Sequence, residues 1–120
     1  VQLVPLDDHG GNVDCKHITQ GSKVYFPVFQ KGALFSLGDG HAAQGDGEVC
    51  GTAIECPMKV DVLKDKKVEQ MEYLTPGPLD SALNTAPWYF TTGIAPDLMI
   101  ATKLAIKRMI DHLRKEYALS

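Results

Sequence analysis

No apolar run in this 120-residue chain approaches the ~20 residues needed to span a bilayer, so no transmembrane helix is expected. No positively charged segment followed by an apolar stretch reads as a secretory leader. A basic stripe interleaved with aromatics is also lacking, and a net charge of −3 gives nucleic acid nothing to hold. Cysteine is scarce: Cys15, Cys50 and Cys56 form an odd set with neither CxxC nor zinc-ribbon spacing. A disulfide scaffold is thereby excluded, and reduced thiols in a cytoplasmic protein are the expectation. Neither membrane nor nucleic acid is an expected partner. What remains is a chain of single-domain length, 44% hydrophobic and able to bury a core.

Chemistry-bearing residues concentrate in Gly38-Asp39-Gly40-His41-Ala42-Ala43-Gln44-Gly45-Asp46-Gly47-Glu48. Three carboxylates and an imidazole in so short a span repel one another unless a cation or a proton sits among them. The intervening glycines permit the tight turns that let such side chains converge. The same composition also suits a solvated Asp/Gly turn whose carboxylates cap backbone N–H groups. A second polar cluster, Leu6-Asp7-Asp8-His9-Gly10-Gly11-Asn12-Val13-Asp14, supplies an imidazole, an amide and further carboxylates around a glycine pair. It reads as the other half of one site, or as a Gly-Gly turn with Asx-type hydrogen bonds.

The intervening segments carry mostly strand signals. Lys23–Phe29 and Ala33–Leu37 are β-prone runs joined by Gln30-Lys31-Gly32, which has the length of a hairpin connection. If strand geometry continues past Leu37, Asp39 and His41 point to one face and can bind one ion together. Val49–Cys56 reads as a buried strand. Met58–Leu63 and Val68–Leu74 read as a hairpin turning at Lys64-Asp65-Lys66-Lys67, its charges solvated. Trp88–Gly93 is a further β-type run whose aromatics suit a core or a pocket wall. Beyond Pro96-Asp97, Met99, Ile106, Met109, Ile110, Leu113 and Tyr117 recur at helical spacing with Lys103, Lys107, Asp111, Arg114 and Lys115 opposite. An amphipathic helix over 96–118 therefore follows a β-rich part over 1–93. His112 is expected on its surface, and with no glycine stop the chain is expected to end in mid-fold.

His9-Gly10-Gly11-Asn12-Val13-Asp14, Gly21-Ser22, Phe26-Pro27-Val28 and the long run from Gly32 through Gly38-Asp39-Gly40-His41 to Thr52-Ala53-Ile54-Glu55 together closely resemble the acetamidase/formamidase family. Met109-Ile110-Asp111-His112-Leu113 also resembles that family's helix in the same place. Family members are considerably longer, so the resemblance implies that an N-terminal part with further histidine motifs and a C-terminal part lie outside this chain. It implies a mainly β fold, a β-sandwich of antiparallel strands with one amphipathic C-terminal helix, in a cytoplasmic and oligomeric protein. The implied partner is a small amide, cleaved to a carboxylate and ammonia. The implied cofactor is a metal: zinc, with calcium as an additional candidate. Oligomerisation would join copies of the chain or pair it with the missing segments. Site residues carry over onto Asp14, Asp39 and His41 as metal ligands, Gln44, Asp46 and Glu48 in catalysis, and Asn12 and Gly45 in substrate binding.

Amide hydrolysis needs an activated water and a protonated leaving nitrogen. A divalent ion can lower the pKa of its bound water to about 7, and catalytic zinc keeps an open position beside three protein ligands. Asp39 and His41, with Asp14 or a histidine outside the chain, would hold the ion while Glu48 moves the proton to the amine. Two alternatives stand beside this. Cys15 or Cys50 could act as a thiolate nucleophile with His9, His17 or His41 as base, although free cysteine is usually buried and inert. A non-catalytic calcium- or sugar-binding module is the other, against which His41 and the His9–Asp14 cluster argue.

Overall fold

The computed structural model describes residues 5–46, 53–79 and 86–119. Its elements are β1 (Lys23–Tyr25), β2 (Gly40–His41), β3 (Ala53–Ile54), β4 (Glu72–Leu74), β5 (Tyr89–Thr91) and α1 (Leu98–Tyr117). β4 is the central strand of an antiparallel sheet in the order β1-β4-β5, with Val24 opposite Tyr73 and Tyr73 opposite Phe90. β2 and β3 form a separate antiparallel ribbon. The expected mainly antiparallel character and the single C-terminal helix are both present.

Alternation along the strands divides the three-stranded sheet into two chemically different faces. Tyr73 and Phe90 share one face, their rings stacked with centroids 4.5 Å apart. Trp88 and His17 also stack on Phe90, with centroids 6.3 and 5.9 Å away, and the Cys15 thiol donates to the Tyr73 hydroxyl at 3.3 Å. The opposite face carries Tyr25, Glu72 and Tyr89 and receives the helix: His112 stacks on Tyr89 at 3.9 Å, and the Thr91 hydroxyl donates to the Ala105 carbonyl at 3.0 Å. Gly93 makes this packing possible, since a Cβ there would fall 1.9 Å from the Ala101 carbonyl oxygen. The core accordingly centres on the 70–75 segment, where Gln70, Met71, Glu72, Tyr73 and Thr75 are buried.

Its buried polar groups are paired, as burial requires. Thr92 Oγ1 donates to the Met71 carbonyl at 2.6 Å, and Thr75 Oγ1 accepts from the Trp88 N–H at 2.8 Å. Glu72 accepts from the Tyr89 hydroxyl and lies 3.4 Å from the Lys66 ammonium. The helix starts where Asp97 caps it, accepting from the Ile100 N–H at 2.9 Å. It stops at Ala118, which takes a left-handed conformation with φ 50° in place of the glycine the sequence lacks.

Four local expectations are corrected. The 23–29 and 33–37 runs do not form a hairpin: β1 pairs with β4, while Ala33 and Leu34 take φ values of 60° and 53° that no strand accommodates. Residues 58–63 form no strand and are exposed, so β4 has β1 and β5 as neighbours rather than its expected hairpin partner. Lys66 is not a solvated turn charge, because its ammonium lies 4.0 Å over the Tyr25 ring and 2.7 Å from the Tyr89 hydroxyl. His112 is half-buried against Tyr89 rather than a free surface residue of the helix.

Candidate functional site

Two glycine-containing loops make up the candidate site. In the first, Asp7 and Gly10 exchange backbone hydrogen bonds of 2.7 and 2.9 Å, closing a tight turn with Asp8 and His9 at its tip. Gly10 and Gly11 have φ of 105° and 108°, where a side chain would be strained. At Gly10 a Cβ would also meet the Phe26 ring at 2.9 Å. The Nε2 of the His9 imidazole is buried and without a hydrogen-bond partner. Further along, Asn12 Nδ2 donates to Asp14 Oδ2 at 2.7 Å, an exposed pair.

The second loop leads into and out of β2. Gly40 pairs with Ile54, and a Cβ on it would lie 2.8 Å from the Cys56 sulfur. Strand alternation does not bring Asp39 beside His41, since Asp39 has φ 55° and the strand begins after it. The two side chains meet nonetheless: His41 Nε2 lies 3.6 Å from Asp39 Oδ1, with the imidazole 6% exposed and the carboxylate 75%. The pair is open to solvent on the acid side only. Gln44 is half-buried, whereas Gly45 and Asp46 are exposed.

Lys16 joins the loops. Its ammonium donates to Asp46 Oδ2 across thirty positions of sequence, and this hydrogen bond, reinforced by the nearby charges of Lys16 and His17, holds the Asp46 carboxyl below its ordinary value. No motif marks this lysine in the sequence, and only the fold brings it to Asp46. Glu48 and Cys50 lie outside the described residues.

The structure thus groups Asp39 with His41, Asn12 with Asp14, and Asp46 with Lys16. Among the described residues no three His, Cys, Asp or Glu side chains come together as a metal-holding group. Asp39 and His41 alone fall one short of the three protein ligands that catalytic zinc usually keeps. The described side chains therefore supply part of a ligand set and not the whole of it. The Cys15 thiol is engaged with Tyr73, whose own hydroxyl is pushed up by burial and by that thiol. On the helix side of the sheet, burial and donation to Glu72 push the Tyr89 hydroxyl up as well. The alternation of 68–74 had suggested a wet face for Glu72, and nothing local in the sequence signals that two tyrosines and Lys66 enclose it.

The sequence pattern of the Acetamidase/Formamidase family matches residues 1–119. The chain is similar to a formamidase of Methylophilus methylotrophus, 53% identical over 70 residues that cover 53% of this chain and 17% of that protein. It is also similar to an acetamidase of Mycolicibacterium smegmatis, 49% identical over 69 residues covering 52% of this chain and 17% of that protein. The chain therefore spans 17% of the length of each of these relatives in the matched region. No solved structure matches it.

Proposed function

The chain belongs to the acetamidase/formamidase family, and from that premise we propose that it serves the hydrolysis of carbon–nitrogen bonds in small linear amides, formamide or acetamide, to carboxylate and ammonia. The observation that carries this is the family match over 1–119, which includes both loops of the site. In the reaction, water oxygen bonds to the carbonyl carbon, the C–N bond breaks, and the nitrogen leaves with an added proton as ammonia.

The loop residues divide that work by what their atoms can do. Asn12, whose Nδ2 is engaged by Asp14, keeps its carbonyl oxygen available to accept from a substrate amide N–H. Gly45 has nothing within 4 Å of where a Cβ would stand, so backbone and substrate can approach closely there. Gln44 supplies an amide donor toward the developing oxyanion. Asp46, kept ionised by Lys16, holds the second loop against the first. Glu48 moves the proton from water to the leaving nitrogen.

Asp39 and His41 are the pair in this chain suited to a divalent ion, zinc or zinc with calcium, with Asp14 next in line through its remaining lone pairs. Such an ion would polarise the carbonyl and acidify bound water. The described residues do not complete its ligand set. With this reading go a cytoplasmic location, a β-sandwich for the full-length fold, and association of copies or of further chain segments. No helix among the described residues is long and apolar enough to cross a membrane.

The test is ammonia release from formamide and acetamide by the metal-replete full-length protein, with elemental analysis of the same sample. Release is expected, and Glu48→Gln should leave metal content unchanged while removing most turnover. A full-length protein that releases no ammonia from either amide overturns the function, and full activity in the Glu48 variant overturns that residue's role.

A further inference from the structure

Asp8, at the tip of the first loop, is held by a residue that no motif marks. Gln70 lies just before β4 and is only 3% exposed. Its amide is fully used: Nε2 donates to Asp8 Oδ1 and to the Ile94 carbonyl at 3.0 Å, and Oε1 accepts from the Ile94 N–H at 3.0 Å. Two donors and one acceptor each find a partner. Turning the amide over would set its oxygen against two acceptors, so the network fixes its orientation. Gln70 thus docks on the backbone that follows β5 and extends its remaining N–H to a carboxylate sixty-two positions earlier in the chain.

The turn that Asp8 belongs to is closed by backbone hydrogen bonds between Asp7 and Gly10, and Phe26 blocks movement on the Gly10 side. A displacement of Asp8 therefore carries His9 with it. The Nε2 of His9 is buried and without a partner, which makes its exact placement matter for whatever group it meets.

We propose that Gln70 is a positioning residue that anchors the Asp8–Asn12 loop to the central strand and so sets the Asn12 amide for the substrate, the neighbouring His9 imidazole moving with the same loop. Its catalytic consequence rests on the amide hydrolysis proposed above. Gln70 itself touches no reacting atom. It acts through Asp8, by a hydrogen bond strengthened by the carboxylate's charge.

The decisive experiment inverts this hydrogen bond in the full-length protein. Gln70→Glu sets carboxylate against carboxylate and should lower kcat by about tenfold or more, the loss of one charge-assisted hydrogen bond, with a smaller change in KM. Adding Asp8→Asn to it restores the donor–acceptor pair toward the loop with the roles exchanged, leaving the Ile94 carbonyl without its donor, and should recover part of the lost kcat. Ring resonances of His9 should shift in Gln70→Glu and return in the double variant, and this readout needs no turnover. Wild-type kcat in Gln70→Glu, or a folded double variant without recovery, overturns the proposal. Should the full-length protein release no ammonia, the function fails on its own, and His9 resonances indifferent to Gln70→Glu then overturn the anchor. If Gln70→Glu does not fold, Asp8→Ala at the exposed end of the bond must move the His9 resonances, and unmoved resonances again overturn it.

Discussion

At the level of single residues, the two loops of the site are tied by one charge pair whose strength depends on protonation. Asp46 is held below its ordinary value of 3.8 chiefly by the hydrogen bond from Lys16. Because the folded value is depressed, the tie is fully present above the ordinary carboxylate value. It is lost as pH falls through the depressed one, where the carboxyl takes up its proton. The pair is exposed, so its contribution to overall stability is small and salt-sensitive. Its effect is local. Replacing Lys16→Met should return the Asp46 carboxyl to the ordinary titration range, read from its carbon resonance against pH. A titration unchanged by the substitution would show that another group holds Asp46.

Among the elements, the contact between β5 and α1 is the most exacting, because it depends on a residue without a side chain. A methyl at Gly93 would fall 1.9 Å from the Ala101 carbonyl oxygen and 2.8 Å from the Ala105 nitrogen, both helix backbone atoms that cannot move aside individually. Gly93→Ala should therefore push the helix off the sheet. It should destabilise the protein by about 1–3 kcal/mol or more, the range for overpacking, as measured by denaturant unfolding. An unchanged midpoint would mean the helix does not dock there. This helix was legible in the sequence, since Pro96-Asp97 marked its start and the apolar spacing marked its course. The sheet was less so. Tyr73 and Phe90 were recognisable as β-prone, but β1 pairing with β4 across nearly fifty residues is a non-local choice. No local pattern encodes it, and the hairpin anticipated after Tyr25 fails at the left-handed Ala33 and Leu34. The site shows the same division. The glycine-rich loops that carry Asn12, Asp14, Asp39, His41, Gln44 and Asp46 stood out by composition. Lys16 and Gln70, which hold those loops in place, are ordinary residues until the fold brings them to Asp46 and Asp8.

For the molecule as a whole, surface area decides what the chain requires. A folded monomer of 13.1 kDa exposes roughly 6,400 Å² on the usual scaling with mass, whereas this chain exposes 9433 Å². The excess, on the order of 3,000 Å², is larger than what one partner contributes to a standard interface, about 800 Å². Much of it is apolar: Leu34, Leu37, Val60 and Val62 are each more than 60% exposed, and Leu98 and Met99 add the first turn of the helix. Among the described residues the buried apolar side chains, Met71 and Tyr73, are far too few to balance them. Exposed apolar surface of this extent is the mark of an interaction face, and it supports the proposed association with further copies or further chain segments. The isolated 120-residue chain should therefore bind an apolar fluorescent dye and sediment as assemblies that grow with concentration. The full-length protein should bind the dye weakly and sediment as a defined species. A short chain that stays monomeric and dye-free across that range would show that the helix face and the 58–63 segment close on the sheet by themselves. The site loops would then stand on a self-sufficient scaffold.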